Sequence, residues 1–498
     1  QQALQHQADD LDICLNLANT FLDLERFDEA AHYYRKLWQM SQNEDIRQTL
    51  FDCLTRLGNS TRAGQALGYW QELLQLNPQD ATLHYNLGNT LRALGRPAEA
   101  LRAYQNALNL NPQDADTHNN LGNILRELGA IPEAISHYEQ AFALQPNLYH
   151  AYVHWVHQKQ QLCNWHGLDE AILQIRHWVR EVPQARIPPF AFLSMTGSEE
   201  AEHKLCADHW LAHNYASLLD QAPLVERIQH RQRHNKCITL AYLSADFRQH
   251  PLASLVTEVI EGHDRKRFRV LGVSTTMSDH STQRMRFEQA FDDLIDIHDE
   301  SDETAAQLIK NASCDILIDL SGFTQNGRSG LAILRPASVM VNWLGYAGTL
   351  GQKPNSEPLF DYLLADAIVI PEAARQHYAE KVLYLPHCYQ PHNQCREVAT
   401  TLERAQYGLP EQGTVLCAFN QHFKITPTMF ALWMRLLKAD TNAVLWLLDG
   451  HPQVVANLHQ TAKEAGVASH RLVFAPRLPA PQHLARHNHA DLFLDTLP

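Results

Sequence analysis

Nowhere in these 498 residues does an apolar run approach the roughly 18 consecutive residues that a membrane helix needs. The longest, such as Ala443 to Leu448, are strand-sized. Positive charge is also in short supply: 41 Lys and Arg stand against 55 Asp and Glu, a formal net charge of -14. A surface that acidic repels a phosphate backbone, which argues against nucleic acid as a partner and leaves room only for local basic groups around a small phosphate ligand. Cysteine is sparse. The nine residues are an odd number scattered singly, which reads as reduced thiols in a cytoplasmic protein and not as a disulfide framework. A usual zinc spacing is missing too. His387, Cys388, His392 and Cys395 lie close in sequence, but Pro386 and Pro391 make the segment a loop, and we expect no metal there. The sequence opens on Gln1 without an initiating methionine, so the lack of a signal peptide excludes little.

What is there is an ordinary globular composition, 45% hydrophobic and 19% charged, in a length that suits about three domains. The first of them is a repeat array. Asn77-Pro78, Asn111-Pro112 and Gln145-Pro146 recur at a period of 34, as do Asn86-Leu87-Gly88-Asn89 and Asn120-Leu121-Gly122-Asn123. Ala100, Tyr104 and Ala107 return as Ala134, Tyr138 and Ala141. Thirty-four residues is the tetratricopeptide period, one helix pair per repeat. Gly88 and Ala100 remove bulk where the two helices approach, Tyr104 fills space between repeats, and Pro112 ends the second helix. Weaker copies run through Ala30 and Tyr34, then Ala66 and Trp70, and a divergent helix pair starts near Tyr149. This predicts an α-superhelical array over 1–160 that binds proteins or peptides.

Residues 161–235 read as a helical transition, with Trp165, Trp178 and Trp210 as core side chains. From Lys236 the period changes. Ile238 to Ser244, Phe268 to Ser274, Asp315 to Leu320 and Val339 to Leu344 are short apolar runs separated by helical stretches, the signature of a parallel sheet with crossover helices. The pattern restarts after Pro410 with Thr414 to Phe419, Ala443 to Leu448, Arg471 to Ala475 and Asp491 to Leu494. Two doubly wound Rossmann-like α/β lobes follow, over 236–400 and 401–498. The C-terminal lobe reads as incomplete, with four strands and an end at Leu497-Pro498 directly after one of them. Ligands of such lobes bind beyond the carboxyl ends of the strands.

Several local runs are more specific than this layout. They are Ala245-Asp246-Phe247 with His250-Pro251, Gly322-Phe323-Thr324, Leu334-Arg335-Pro336-Ala337 and Trp343-Leu344-Gly345-Tyr346. Glu380-Lys381, Phe419-Asn420-Gln421 with Lys424, and Leu494-Asp495-Thr496 complete the series. In this order the chain resembles the bacterial protein O-GlcNAc transferases, tetratricopeptide-repeat glycosyltransferases of the GT-B type. The resemblance implies an inverting enzyme that moves N-acetylglucosamine from UDP-GlcNAc to Ser or Thr hydroxyls of proteins and needs neither metal nor cofactor.

It also assigns roles. Lys424, in a loop before a helix start, would stabilise the charge growing on the departing UDP. Gln421 would contact the donor. His250 would lie at the acceptor hydroxyl, as a base or an orienting group. Leu344 and Gly345 would approach the sugar, and the backbone at Leu478 with His483 and Arg486 would hold the uridine. Asn86 and Asn120 match an asparagine ladder that binds the acceptor's main chain, although such amides could equally cap turns or bridge repeats. Ala347 stands where many relatives have proline, and Ala480 where they often have lysine. Relatives continue past the last strand with a His-Thr-Thr segment and a ribose-binding aspartate that these residues do not include, so the expectation is that this chain alone binds donor poorly. Four alternatives stay open: a protein O-fucosyltransferase using GDP-fucose, an asparagine glucosyltransferase (whose known forms lack the array), a non-catalytic tetratricopeptide scaffold, and a GT-B epimerase, which would not need a peptide-binding array. Homodimerisation is also open.

Overall fold

The computed structural model describes residues 11–61, 63–227, 237–393 and 396–496. The chain separates into two compact units, Gln1–Gln158 and Lys159–Pro498, so the division falls inside the helix Tyr149–Gln161.

The first unit is built of antiparallel helix pairs: Leu11–Asp23 with Phe27–Ser41, Glu44–Ser60 with Ala63–Leu76, Ala81–Ala93 with Pro97–Leu110, and Ala115–Glu127 with Ile131–Leu144. Local chemistry sets their ends. The Asp80 carboxylate accepts from the backbone amides of Thr82 and Leu83 and caps the helix that follows. Pro97 sits in the first turn of the next, where its missing N–H costs nothing. The glycines answer to one contact. A Cβ on Gly88 would fall 2.6 Å from the Tyr104 ring, and one on Gly122 would fall 2.7 Å from Tyr138. Each tyrosine is fully buried on the glycine of its own repeat, and Tyr104 shares its core with Leu121 and Ile124 of the next. Full burial of a ring this size contributes about 2 kcal/mol. That is why the small residue and the ring recur together.

The second unit starts with the helices Leu168–Glu181, Pro189–Leu193, Glu200–Asn214 and Ala216–Leu219. Trp165, Trp178 and Trp210 are half-buried there, and Trp165 packs on Phe430 with ring centroids 5.5 Å apart. A sheet of seven strands follows: β1 Ile238–Ser244, β2 Phe268–Ser274, β3 Asp293–Asp296, β4 Ile316–Asp319, β5 Val339–Trp343, β6 Tyr362–Ala365 and β7 Lys381–Tyr384. All neighbours are parallel, in the order β3-β2-β1-β4-β5-β6-β7. Along β1 the side chains alternate between two cores: Ala241 and Leu243 join one, and Tyr242 joins the other. Both faces are therefore covered, as a doubly wound sheet requires. The second sheet holds β8 Val415–Ala418, β9 Val444–Leu448, β10 Leu472–Ala475 and β11 Leu492–Phe493, again parallel, in the order β10-β9-β8-β11. Each sheet thus reverses direction beside its own first strand, between β1 and β4 and between β8 and β11, and this reversal is where such folds bind ligands. β3, β6 and β7 escape the sequence pattern. They are four residues long, and β3 and β7 carry charges that suit sheet edges.

Candidate active site

Beyond β1 the chain turns through Asp246 to His250, the residue that caps the helix Pro251–Glu261. His250 is exposed, and its Nδ1 accepts from the Leu252 amide at 3.3 Å. An Asp246 carboxylate oxygen lies 3.6 Å from the same nitrogen, and the other accepts from Arg248 at 3.2 Å. Asp279 accepts from the Gln249 amide at 2.8 Å and fixes the backbone just before the histidine. The result is an accessible imidazole with a carboxylate behind it.

The turns after β4 and β5 meet each other. Asp319 is buried and accepts from the Ser321 amide at 2.8 Å, and burial pushes its carboxyl up to about 6. Leu344 has φ +80, and the Gly345 amide donates back to the Trp343 carbonyl at 3.1 Å, a γ-turn of the rare positive-φ kind. Leu344 and Tyr346 are buried while Gly345 between them is exposed, so the turn offers its main chain at that point. The loop that follows is tied down by Glu380, which accepts from the Thr349 hydroxyl at 2.8 Å and the Leu350 amide at 2.7 Å. Tyr378 donates to the Ala347 carbonyl at 3.3 Å.

In the second lobe, Gln421 to Lys424 form a short turn between β8 and the helix Pro427–Ala439. The Lys424 amide donates to the Gln421 carbonyl at 3.0 Å. Lys424 is half-buried, and among the described residues neither its ammonium nor the Gln421 side chain has a partner. Three neighbours hold the turn. Asn420 donates to Asp495 at 3.0 Å and Thr496 at 2.9 Å, bridging the loops after β8 and β11. Buried His422 bonds the Leu448 carbonyl at 2.9 Å, and the Cys163 thiol donates to the His422 carbonyl at 3.6 Å. His250 and Lys424 occupy equivalent places, each six residues past the first strand of its sheet and ahead of a proline-led helix. No hydrogen bond or ion pair among the described residues joins them.

The loop after β10 leads through Leu478, whose backbone amide has no partner among the described residues, into the helix Ala480–Arg486. Arg486 departs from the expected place. Its side chain is fully buried, stacked 4.2 Å over the Phe419 ring, and it donates to the Pro476 carbonyl at 2.7 Å and to His483 Nδ1 at 2.6 Å. Its hydrogen bonds thus go to neighbours in the fold, His483 among them. His483 lies against Phe419 and His487, and burial, then the charges of Arg486 and His487, hold its pKa down to about 4.

In the first unit the four asparagines separate into different roles. Asn89 accepts from the Tyr104 hydroxyl at 2.7 Å and Asn123 from the Tyr138 hydroxyl at 2.9 Å, ties within a repeat. Asn120 donates to Tyr85 at 3.1 Å and to Asn89 at 3.0 Å, a bridge between repeats. Half-buried Asn86 has no side-chain partner among the described residues. Among the described residues, which exclude Cys395, no group of three or more His, Cys, Asp or Glu side chains is placed so that it could hold a metal ion. Among those residues, too, no helix is long and apolar enough to cross a membrane.

Residues 162–397 and 391–498, more than half of the chain, match the model of Glycosyl transferase family 41. The chain belongs to this family. Tetratricopeptide repeat models match 11–44 and 79–147, and a Bacterial transcriptional activator domain model matches 42–111 on the same helices. An Arabidopsis thaliana protein described as "Probable UDP-N-acetylglucosamine-peptide N-acetylglucosaminyltransferase SEC" is 30% identical over 267 residues, 52% of this chain and 27% of that protein. The Caenorhabditis elegans UDP-N-acetylglucosamine-peptide N-acetylglucosaminyltransferase is 23% identical over 461 residues, 68% of this chain and 39% of that one. The chain therefore spans well under half the length of these curated relatives. A solved structure of a Thermobaculum terrenum O-GlcNAc transferase mutant superposes with a TM-score of 0.60 at 24% identity, over 91% of this chain and 78% of that one, and shares the fold.

As a family 41 glycosyltransferase, the chain carries groups at its strand ends that sequence reasoning passed over. Asp246 belongs with His250, and the signal was the i, i+4 spacing across the start of a helix. Asn16-Leu17-Ala18-Asn19 repeats the asparagine motif in the first helix pair, where Asn19 accepts from the Tyr34 hydroxyl at 2.5 Å. Alanine in the glycine place hides that copy. His422 gave no signal, because its partner lies 26 residues away, and Asn420 stood in a motif of the resemblance without its link to Asp495, 75 residues on.

Proposed function

We propose that this glycosyltransferase moves N-acetylglucosamine from UDP-GlcNAc to Ser or Thr hydroxyls of protein acceptors, with inversion and without a metal. The observation that carries the reading is Lys424, a cation with no partner among the described residues, held in the turn before a helix at the reversal point of the second sheet. A diphosphate seated there meets both the ammonium and a helix N-terminus. The acceptor oxygen attacks the anomeric carbon, the bond to UDP breaks, and Lys424 stabilises the negative charge that collects on the leaving diphosphate. The acceptor's proton passes toward the exposed imidazole of His250, beside which the Asp246 carboxylate lies at 3.6 Å. His483, kept neutral, and the Leu478 amide serve the uridine, and the exposed backbone at Gly345 serves the sugar. The relatives named for peptide N-acetylglucosaminyl transfer support the donor and acceptor classes.

The first unit supplies acceptor binding in this reading, with Asn86 the amide left free for a passing main chain. The scattered free cysteines support a cytoplasmic site of action. The test is a transfer assay with the full chain, protein acceptors and UDP-GlcNAc, beside GDP-fucose and with a chelator present. Acceptor mass gained from UDP-GlcNAc alone, unaffected by chelation, supports the proposal. Transfer from GDP-fucose overturns the donor, and loss on chelation overturns metal independence.

A further inference from the structure

Strand β5 reads Val339-Met340-Val341-Asn342-Trp343, and one residue in it is out of keeping. A strand buried on both faces of a parallel sheet is normally apolar throughout, and asparagine is disfavoured in strands. Asn342 is nonetheless fully buried. Its Nδ2 donates to the Tyr346 carbonyl at 2.9 Å, and its Oδ1 has no partner among the described residues. A buried acceptor left without a donor costs stability, so stability alone does not explain this side chain.

What the one bond does is span the strained turn. Leu344, with its φ of +80, lies between the two ends that Asn342 connects. A backbone in that region persists only where its surroundings over-determine it. Two close contacts help on the other side: a Cβ on Gly345 would fall 2.2 Å from the Leu320 carbonyl oxygen, and one on Gly322 would fall 2.7 Å from the Tyr346 Cβ. The neighbouring strand repeats the arrangement. Asp319, paired in register with Asn342, reaches forward to the Ser321 amide and braces the turn after β4. Two adjacent buried polar side chains thus each hold the turn at the end of their own strand, and those turns pack on one another.

We propose that Asn342 is a positioning residue for glycosyl transfer: it holds the Leu344–Gly345 turn in its strained shape, so that the exposed main chain at Gly345 meets the donor's sugar. This rests on the reading that the turn contacts the donor. Uridine and diphosphate are held by the second lobe in that reading, so Asn342 governs the placement of the sugar and not the affinity for UDP.

The test compares the full chain with Asn342→Leu, which keeps the volume and loses the donor, and with Asn342→Asp, which keeps the shape and serves if the first variant does not fold. The expected result is a fall in kcat of about tenfold or more, because small misplacements of a reacting group are costly, with UDP affinity changed by less than about twofold. Amide exchange at Gly345 and Tyr346 should rise, with little change elsewhere. A lowered melting temperature with unchanged kcat per folded molecule and unchanged local exchange would show a merely structural residue and overturn the proposal. If the wild type uses a nucleotide sugar other than UDP-GlcNAc, the donor assignment falls, and the same comparison with that sugar still decides Asn342. If the wild type transfers nothing, the exchange measurement decides it: unchanged exchange at Gly345 overturns the brace.

Discussion

Arg486 donates from its guanidinium to Nδ1 of His483 at 2.6 Å, and this settles the imidazole's tautomer. With Nδ1 accepting, the remaining hydrogen sits on Nε2, and a pKa near 4 keeps the ring neutral at pH 7. Arg486→Met removes the bond and a nearby positive charge. The His483 pKa should then rise toward its ordinary value, and UDP should bind about fivefold more weakly, the worth of one hydrogen bond. NMR titration of the ring and calorimetry with UDP check both. Unchanged values for both would leave Arg486 as core packing.

Lys424→Ala should leave the melting temperature nearly unchanged, since the ammonium makes no bond among the described residues. Transfer should fall by at least about a hundredfold, on the order of 3 kcal/mol of transition-state stabilisation. Steady-state kinetics beside thermal melting measures this, and near-normal turnover would remove the lysine from the leaving-group site.

The asparagines of the first unit should separate under mutation. Asn86→Ala should leave stability unchanged and lower kcat/KM for protein acceptors without changing UDP affinity. Asn120→Ala breaks the bonds to Tyr85 and Asn89, and should cost about 1–2 kcal/mol of stability in urea melts. If Asn86→Ala transfers to proteins as fast as wild type, the free amide is not an acceptor contact.

Glu380 supplies a pH test. Burial pushes its carboxyl from 4.5 to about 7. The folded state therefore holds the proton more tightly than the unfolded chain does. This stabilisation is complete below about pH 4.5 and is lost as the pH rises through about 7, on the order of 3 kcal/mol in all. Glu380→Gln has no such loss, so its stability relative to wild type should grow from pH 5 to pH 8. Urea melts at the two values decide, and an equal difference at both would show an unshifted carboxyl.

Strands β1 and β2 are legible to the residue because each is a mostly apolar run of seven residues bounded by polar chain. The repeats are legible because a ring of fixed size demands a glycine at a fixed distance, as Tyr104 demands Gly88. β3 and β7 are not, because at a sheet edge four residues with charges read like a loop. The loops holding His250 and Lys424 could be found because both follow a clear strand and precede a proline-led helix.

Period, apolar runs and helix starts are properties of neighbouring residues, so the sequence by itself determined the repeat array, the two parallel-sheet lobes and the loops where chemistry would sit. Which polar side chain faces a ligand and which is paired inside was decided only by the tertiary structure. Arg486 and Asn89 look as available in sequence as Lys424 and Asn86, yet the first two are bound to His483 and Tyr104 and the last two have no partner among the described residues. The difference comes from partners and burial supplied by other segments. A buried donor or acceptor must be paired or bear the cost of desolvation, and pairing depends on what the fold brings alongside.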